Sequence, residues 1–154
     1  MRLLVDTHCW LWLQGFPERF GRGVLDLLAG SEVELLLSAA SVWEIVIKHS
    51  LGKLDLPYAP DEWVATRMQD SLTRELPVEV RHTLRVAHLP PHHRDPFDRL
   101  LVAQAQAERA ILLTADRQLA AYPVHLLWAD EDLGGELHEA PAPAYDPWRG
   151  DSPP

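Results

Sequence analysis

The stretch RLLVDTHCW, residues 2–10, decides how the chain is read. Leu3 to Val5 is a short apolar run of the composition of a buried strand, and it stops on an acid, Asp6. A carboxylate placed there either caps a following helix or faces a ligand crevice, because open α/β sheets gather their functional groups beyond the carboxyl ends of their strands.

Working outward, the same kind of run recurs. Strands are expected at Leu3 to Asp6, Glu34 to Ser38, Ile111 to Thr114 and Val124 to Trp128. Longer segments of helical period separate them: after Thr7, then Pro17 to Ala29, Ser41 to Leu51, Asp61 to Leu72, Val78 to Ala87 and Pro96 to Arg109. Gly52 and Pro57 end the third helix, and the prolines of HLPPHHRDP (88–96) keep that loop from becoming helical before Pro96. Strands alternating with helices predict an α/β fold with a mainly parallel sheet covered on its faces.

At 154 residues and 47% hydrophobic, the chain suits one globular domain. No apolar run approaches the roughly 18 residues of a spanning helix, and nothing before Asp6 reads as a signal peptide, so a cytoplasmic protein is expected. Cys9 is the one cysteine, which leaves oxygen and imidazole to hold any metal. The net charge of −9 argues against a basic nucleic-acid surface, but it is uneven. Asp130, Glu131, Asp132, Glu136, Glu139, Asp146 and Asp151 face only Arg149 in residues 129–154, a Pro-rich stretch without apolar period. The expected division is a domain over 1–128 and an acidic tail over 129–154.

Four acids fall near one edge of the predicted sheet. Asp6 ends the first strand, Asp116 follows the strand ILLT by two residues, and Glu44 and Asp98 are expected in the first turns of helices that begin near the same edge. Each also has a plain structural role open to it. Ser41 and Glu44 fit a capping box, Asp95 and Pro96 fit an N-cap and first helical position with Asp98 favoured by the helix dipole, and Asp6 and Asp116 can each cap the helical turn after it. Capping accounts for each acid singly but not for the gathering of all four, and both roles can coexist. Clustered carboxylates recruit a cation, and an oxygen-rich set with little Cys or His suits Mg²⁺ or Mn²⁺. Such a site can bind a phosphodiester and activate water for in-line attack, with Asp6 and Asp98 as direct ligands and Glu44 and Asp116 completing the sphere or orienting the water.

Other residues carry less. His8 stands alone, and His92 and His93 are adjacent in a loop, so none has the spacing of a zinc site, although His8 lies close enough to Asp6 to touch the site or its substrate. Lys48, Lys53, Arg94 and Arg99 are candidate phosphate contacts, with Arg99 favoured as the neighbour of Asp98. Trp10, Trp12, Trp43 and Trp63 exceed what one small core easily buries, which leaves some for a partner surface.

The segments LLVDTHCWLW (3–12), SAASVWEIVIKHSLGKL (38–54), DPFDRLLVAQA (95–105) and LLTADRQL (112–119) resemble, in order, the motifs of PIN-domain ribonucleases, in particular the VapC-type toxins of toxin–antitoxin pairs. The resemblance spans about residues 1–128 and leaves the tail outside. It implies a three-layer α/β/α sandwich and a metal-dependent endoribonuclease site made by Asp6, Glu44, Asp98 and Asp116, with Thr114 supporting the last and Asp95 left as the cap. It also implies Mg²⁺, replaceable by Mn²⁺, an RNA substrate, a homodimer, and a small antitoxin that reaches the acidic crevice with a basic side chain. A housekeeping nuclease and a catalytically silent binding module are the competing readings. A haloacid-dehalogenase-type phosphatase would need a second Asp where His8 stands, and a response-regulator receiver would need paired acids and a late Lys that RLLV and LLTADR do not supply.

Overall fold

The computed structural model describes residues 1–133, so the expected tail lies outside the described residues from 134 onward. Five parallel strands form one sheet: β1 (Arg2–Val5), β2 (Glu34–Ser38), β3 (Arg74–Leu76), β4 (Ile111–Thr114) and β5 (Leu126–Trp128), side by side in the order β3-β2-β1-β4-β5. Among the described residues six α-helices cover it: α1 (Thr7–Gly15), α2 (Arg22–Leu28), α3 (Ala39–Ser50), α4 (Pro60–Asp70), α5 (Val80–Val86) and α6 (Pro96–Glu108).

The central strands β1, β2 and β4 carry apolar runs because both faces of the sheet are buried there. Leu3, Val5, Leu37, Leu113 and Leu127 point to one side, against Trp10, Val24, Ile45 and Trp63. Leu4, Leu36, Leu112 and Leu126 point to the other, against Leu101, Val102, Leu119 and Tyr122. Two cores, one on each side of the sheet, give the expected three-layer sandwich. In the central register Leu4 lies beside both Leu36 and Leu112, so β1 is paired on both edges.

This topology fixes where a site can form. The chain moves outward from β1 through β2 to β3, then returns to the other side of β1 for β4 and β5. The order therefore reverses between β1 and β4, and the two connections leave a crevice beyond the carboxyl ends of those strands. Asp6 and Thr114 are the residues at its floor.

Several expected boundaries shift. The strand β3 was not anticipated: REL is three residues long, mostly exposed and at the sheet edge, too short to show a period. The helix expected over Pro17–Ala29 divides into a 3₁₀ turn (Pro17–Arg19) and α2, with Phe20 and Gly21 between them. Gly21 donates its N–H to Ala129 O at 2.8 Å, and a Cβ at Gly21 would lie 2.1 Å from the carbonyl oxygen of Glu131. Residues just past β5 thus pack tightly on the start of α2. Replacing Gly21 by Ala is expected to lower stability by about 1–3 kcal/mol through backbone overpacking, read as a fall in melting temperature of the full chain.

The third helix begins at Ala39, with the Ser38 hydroxyl accepting from Ala40 N at 3.0 Å as its cap. This corrects the expected capping box: Ser41 lies inside the first turn, its buried hydroxyl has no hydrogen-bond partner, and Glu44 sits in the second turn. The helix ends as expected at Gly52, whose φ of +68° suits glycine, with Gly52 N bonded to His49 O and Lys53 N to Lys48 O. Among the described residues, no helix is long and apolar enough to cross a membrane.

Candidate functional site

Asp6 is the first residue past β1. Its N–H continues the ladder to Leu113 O at 2.9 Å, which fixes the backbone against β4. Its Oδ1 accepts from Cys9 N at 2.9 Å, so it caps α1 as the sequence suggested, and its Oδ2 accepts from the Thr114 hydroxyl. Thr114, the fully buried last residue of β4, also accepts from Asp116 N at 3.0 Å through the same oxygen. One hydroxyl therefore ties the ends of β1 and β4 together across the crevice and sets where Asp116 begins.

Asp116 uses its two oxygens differently. Oδ1 caps the 3₁₀ turn Arg117–Ala121 through Gln118 N at 2.9 Å, while Oδ2 accepts from His93 Nε2 at 2.8 Å. Capping and presentation of a carboxylate to the crevice thus coexist in one residue. Asp95 is the cap of α6, accepting from Phe97 N at 2.8 Å, and this places Asp98 in the first helical turn with its Oδ2 3.4 Å from the same His93 Nε2. One donor atom each of His93, Asp98 and Asp116 lies within 4.8 Å of the other two.

Glu44 joins from the other side. Although 5% exposed, it is fully engaged: Oε2 accepts from the Thr7 hydroxyl at 2.6 Å, and Oε1 pairs with Lys48 Nζ at 2.6 Å one turn along α3. Its charge reaches the cluster. The Asp98 carboxyl is pushed up to about 7, first by burial, then by the negative charge of Asp95, with Asp6 and Glu44 adding in the same direction and His93 opposing them. Asp98 is therefore where burial and the charges of Asp95, Asp6 and Glu44 add up, while Asp116 meets it through His93.

An oxygen-rich group in which a carboxyl resists ionisation until positive charge arrives is a fitting donor set for a hard divalent cation. Cys9, beside Asp6, contributes no chemistry: burial and then the Asp6 charge push its thiol far up, so it stays protonated and packs as an apolar residue.

Some candidates move. His93, passed over as a zinc ligand for its spacing, lies with its ring between Asp98 and Asp116. The clue was its position two residues before the cap of α6, which forces it close to the helix start where Asp98 stands. His8 is exposed, and His92 packs its ring on Tyr122 at 5.4 Å.

Arg99 does not face the crevice as a phosphate contact. Its guanidinium donates to Pro90 O at 2.8 Å, Leu89 O at 3.2 Å, Val86 O at 3.3 Å and the Tyr122 hydroxyl at 3.2 Å, fastening the loop that carries His93. Lys48 is held by Glu44, and Lys53 and Arg94 are exposed. The tryptophans divide: Trp10 and Trp63 are buried edge-to-face at 5.8 Å, whereas Trp43 is 63% exposed and meets Phe97 at 5.5 Å.

Among solved structures, the chain is similar to a toxin–antitoxin complex, VapBC2 from Rickettsia felis bound to a promoter DNA fragment (TM-score 0.65, 16% identity, 84% of this chain and 100% of that one). It is also similar to DNA-bound VapBC from Salmonella typhimurium (TM-score 0.58, 14% identity, 83% and 98%). At such identities the likeness is one of fold. The curated protein Ribonuclease VapC16 of Mycobacterium tuberculosis is 47% identical over 49 residues, which is 32% of this chain and only 35% of that protein's length. The PIN domain family model matches residues 3–124, from β1 through the turn after β4, and on that match the chain belongs to the PIN domain family.

Proposed function

We propose that the chain is a divalent-cation-dependent endoribonuclease, acting in the cytoplasm as the toxin of a toxin–antitoxin pair. The observation that carries this reading is the meeting of Asp98 and Asp116 at the β1/β4 switch point, beside Asp6 and Glu44, with the Asp98 carboxyl raised to about 7. The similarity to a curated VapC ribonuclease and to the toxin–antitoxin complexes supports the choice of substrate and partner.

Asp98 and Asp116 hold the cation, Mg²⁺ in the cell with Mn²⁺ as substitute, since theirs are the carboxylates that approach one another with exposed surface. When bound, the cation supplies positive charge for a phosphodiester and makes a water acidic enough for in-line attack. Asp6 keeps the floor rigid through Thr114 and adds negative charge, with a second lone pair free on each oxygen. Glu44, poised by Thr7 and Lys48, is the base that orients and deprotonates the attacking water. The crevice binds one strand with few cations of its own, which suits an acidic protein that depends on a metal for the polyanion and on a basic antitoxin for inhibition. The active assembly is a homodimer in this reading.

The test is digestion of total bacterial RNA by the purified full chain, with new 5′ ends mapped by sequencing. Attack by water with departure of the ribose 3′ oxygen leaves 5′-phosphate and 3′-hydroxyl ends. A discrete set of 5′-phosphate ends, present with Mg²⁺ and absent in EDTA, is expected. No cleavage with either Mg²⁺ or Mn²⁺ would reduce the chain to a binding module, and 5′-hydroxyl ends formed in EDTA would replace the metal mechanism with one using the ribose 2′-hydroxyl.

A further inference from the structure

His93 is held by a complete set of hydrogen bonds. Its backbone N–H donates to the Tyr122 hydroxyl at 2.8 Å, and Tyr122 is itself 2% exposed and bonded to Arg99. Its ring is nearly buried, with a side-chain exposure of 10%. Nδ1 accepts from Asp95 N at 3.1 Å, and Asp95 is fixed in turn as the cap of α6. A nitrogen that accepts from a backbone N–H carries no hydrogen of its own, so the ring proton is on Nε2. That N–H donates to Asp116 Oδ2 at 2.8 Å, and Asp98 Oδ2 lies 3.4 Å from the same nitrogen as an electrostatic neighbour.

We propose that His93 is a positioning residue of the acidic site: its Nε2–H donates to the Asp116 carboxylate and holds it beside Asp98, and the ring is not a metal ligand. The inference rests on the reading of those acids as a cation site. To ligate a metal, Nε2 must present a lone pair, which requires the proton to move to Nδ1, where the Asp95 N–H already points. The backbone at the start of α6 thereby fixes the tautomer. A donor bonded to Asp116 and lying 3.4 Å from Asp98 fixes one carboxylate next to the other before a cation arrives. The supports run unbroken from Arg99 through the loop carbonyls and Tyr122 to His93 and then to Asp116.

Two measurements on the full chain decide it. Nitrogen-15 NMR of the metal-free protein reads the tautomer directly, and the expected spectrum shows protonated Nε2 and unprotonated Nδ1 for His93. The Nδ1–H tautomer, or a ring averaging between the two, overturns the proposal. Mg²⁺ titration by calorimetry then compares the wild type with His93→Ala and His93→Gln, with folding of each verified by thermal melting. Loss of a supporting donor weakens Mg²⁺ binding about tenfold or more in His93→Ala, and the amide N–H of His93→Gln restores most of it. Unchanged or tighter binding in His93→Ala overturns the proposal, and so does loss of the wild-type Nε2 proton on adding Mg²⁺. If the wild type binds no Mg²⁺, the metal reading of the site falls, while the tautomer spectrum still decides whether His93 donates to Asp116.

Discussion

Asp98→Asn is expected to abolish the proposed RNA cleavage and, in the same protein, to raise the melting temperature of the metal-free chain at pH 8. The two effects come from one charge. Asp98 sits where burial and the charges of Asp95, Asp6 and Glu44 all disfavour its ionised form, and its carboxyl is raised from an ordinary 3.8 to about 7. A carboxyl that binds its proton more tightly folded than unfolded lowers stability as pH rises between those two values, and the cost is fully present above pH 7. The amide removes that cost, so the variant melts higher by a few degrees at pH 8 in EDTA, and the difference closes as pH falls toward 4. If the same charge holds the proposed cation, cleavage is expected to fall by at least about 10³-fold. Millimolar Mg²⁺ stabilises the wild type at pH 8 and leaves Asp98→Asn unmoved, since only a ligand that binds the folded state raises its melting point. Melting curves at pH 5 and pH 8, with and without Mg²⁺, check all of this. A variant less stable than wild type at pH 8 in EDTA contradicts it.

Glu44→Gln separates the two roles open to Glu44. The amide oxygen still accepts from the Thr7 hydroxyl, while its NH₂ faces Lys48 and the ion pair is lost. Lys48 is 30% exposed and turns to water, so the cost is about 1 kcal/mol or less, a drop of roughly 5 °C or less in melting temperature. As the base of the reaction, however, Glu44 needs a charge that Gln lacks, and cleavage falls by about 10²-fold or more. A purely structural Glu44 gives the same small drop in melting temperature with near-normal cleavage, which a single-turnover assay on the two proteins distinguishes.

The architecture was legible because its strands are buried on both faces. ELLLS and ILLT read as uninterrupted apolar runs, and their bounds Glu34–Ser38 and Ile111–Thr114 match the sheet. What escaped lacked that pressure. The edge strand β3 is mostly exposed and has no pattern to read, and the start of α3 slipped by two residues because Ser38 and Ser41 are both capable caps. Three-dimensional packing alone decides that Ser38 serves. That also removed the capping role imagined for Glu44 and left its carboxylate to Thr7 and Lys48.

Three of the candidate acids could be read because Asp6 and Asp116 follow strand ends and Asp98 lies in the first turn of α6, whereas Glu44 stands in the second turn of α3, not at its start. The residues that hold them could not. His93, Arg99 and Tyr122 act through contacts between a loop, α6 and the segment after β4, and nothing in their spacing encodes those contacts. Arg99 in particular read as a phosphate contact from its place beside Asp98, yet a guanidinium has five donors, and four nearby oxygens accept from it.

The most direct measurement is anomalous diffraction from crystals of the full chain soaked in millimolar Mn²⁺ at pH 8, where Asp98 is ionised. The account predicts an anomalous peak in the β1/β4 crevice, within about 2.5 Å of one carboxylate oxygen of Asp98 and one of Asp116, with no peak there in crystals of Asp98→Asn. An empty crevice in the wild-type crystals, or manganese bound only elsewhere on the protein, would contradict the claim that these acids form a metal site.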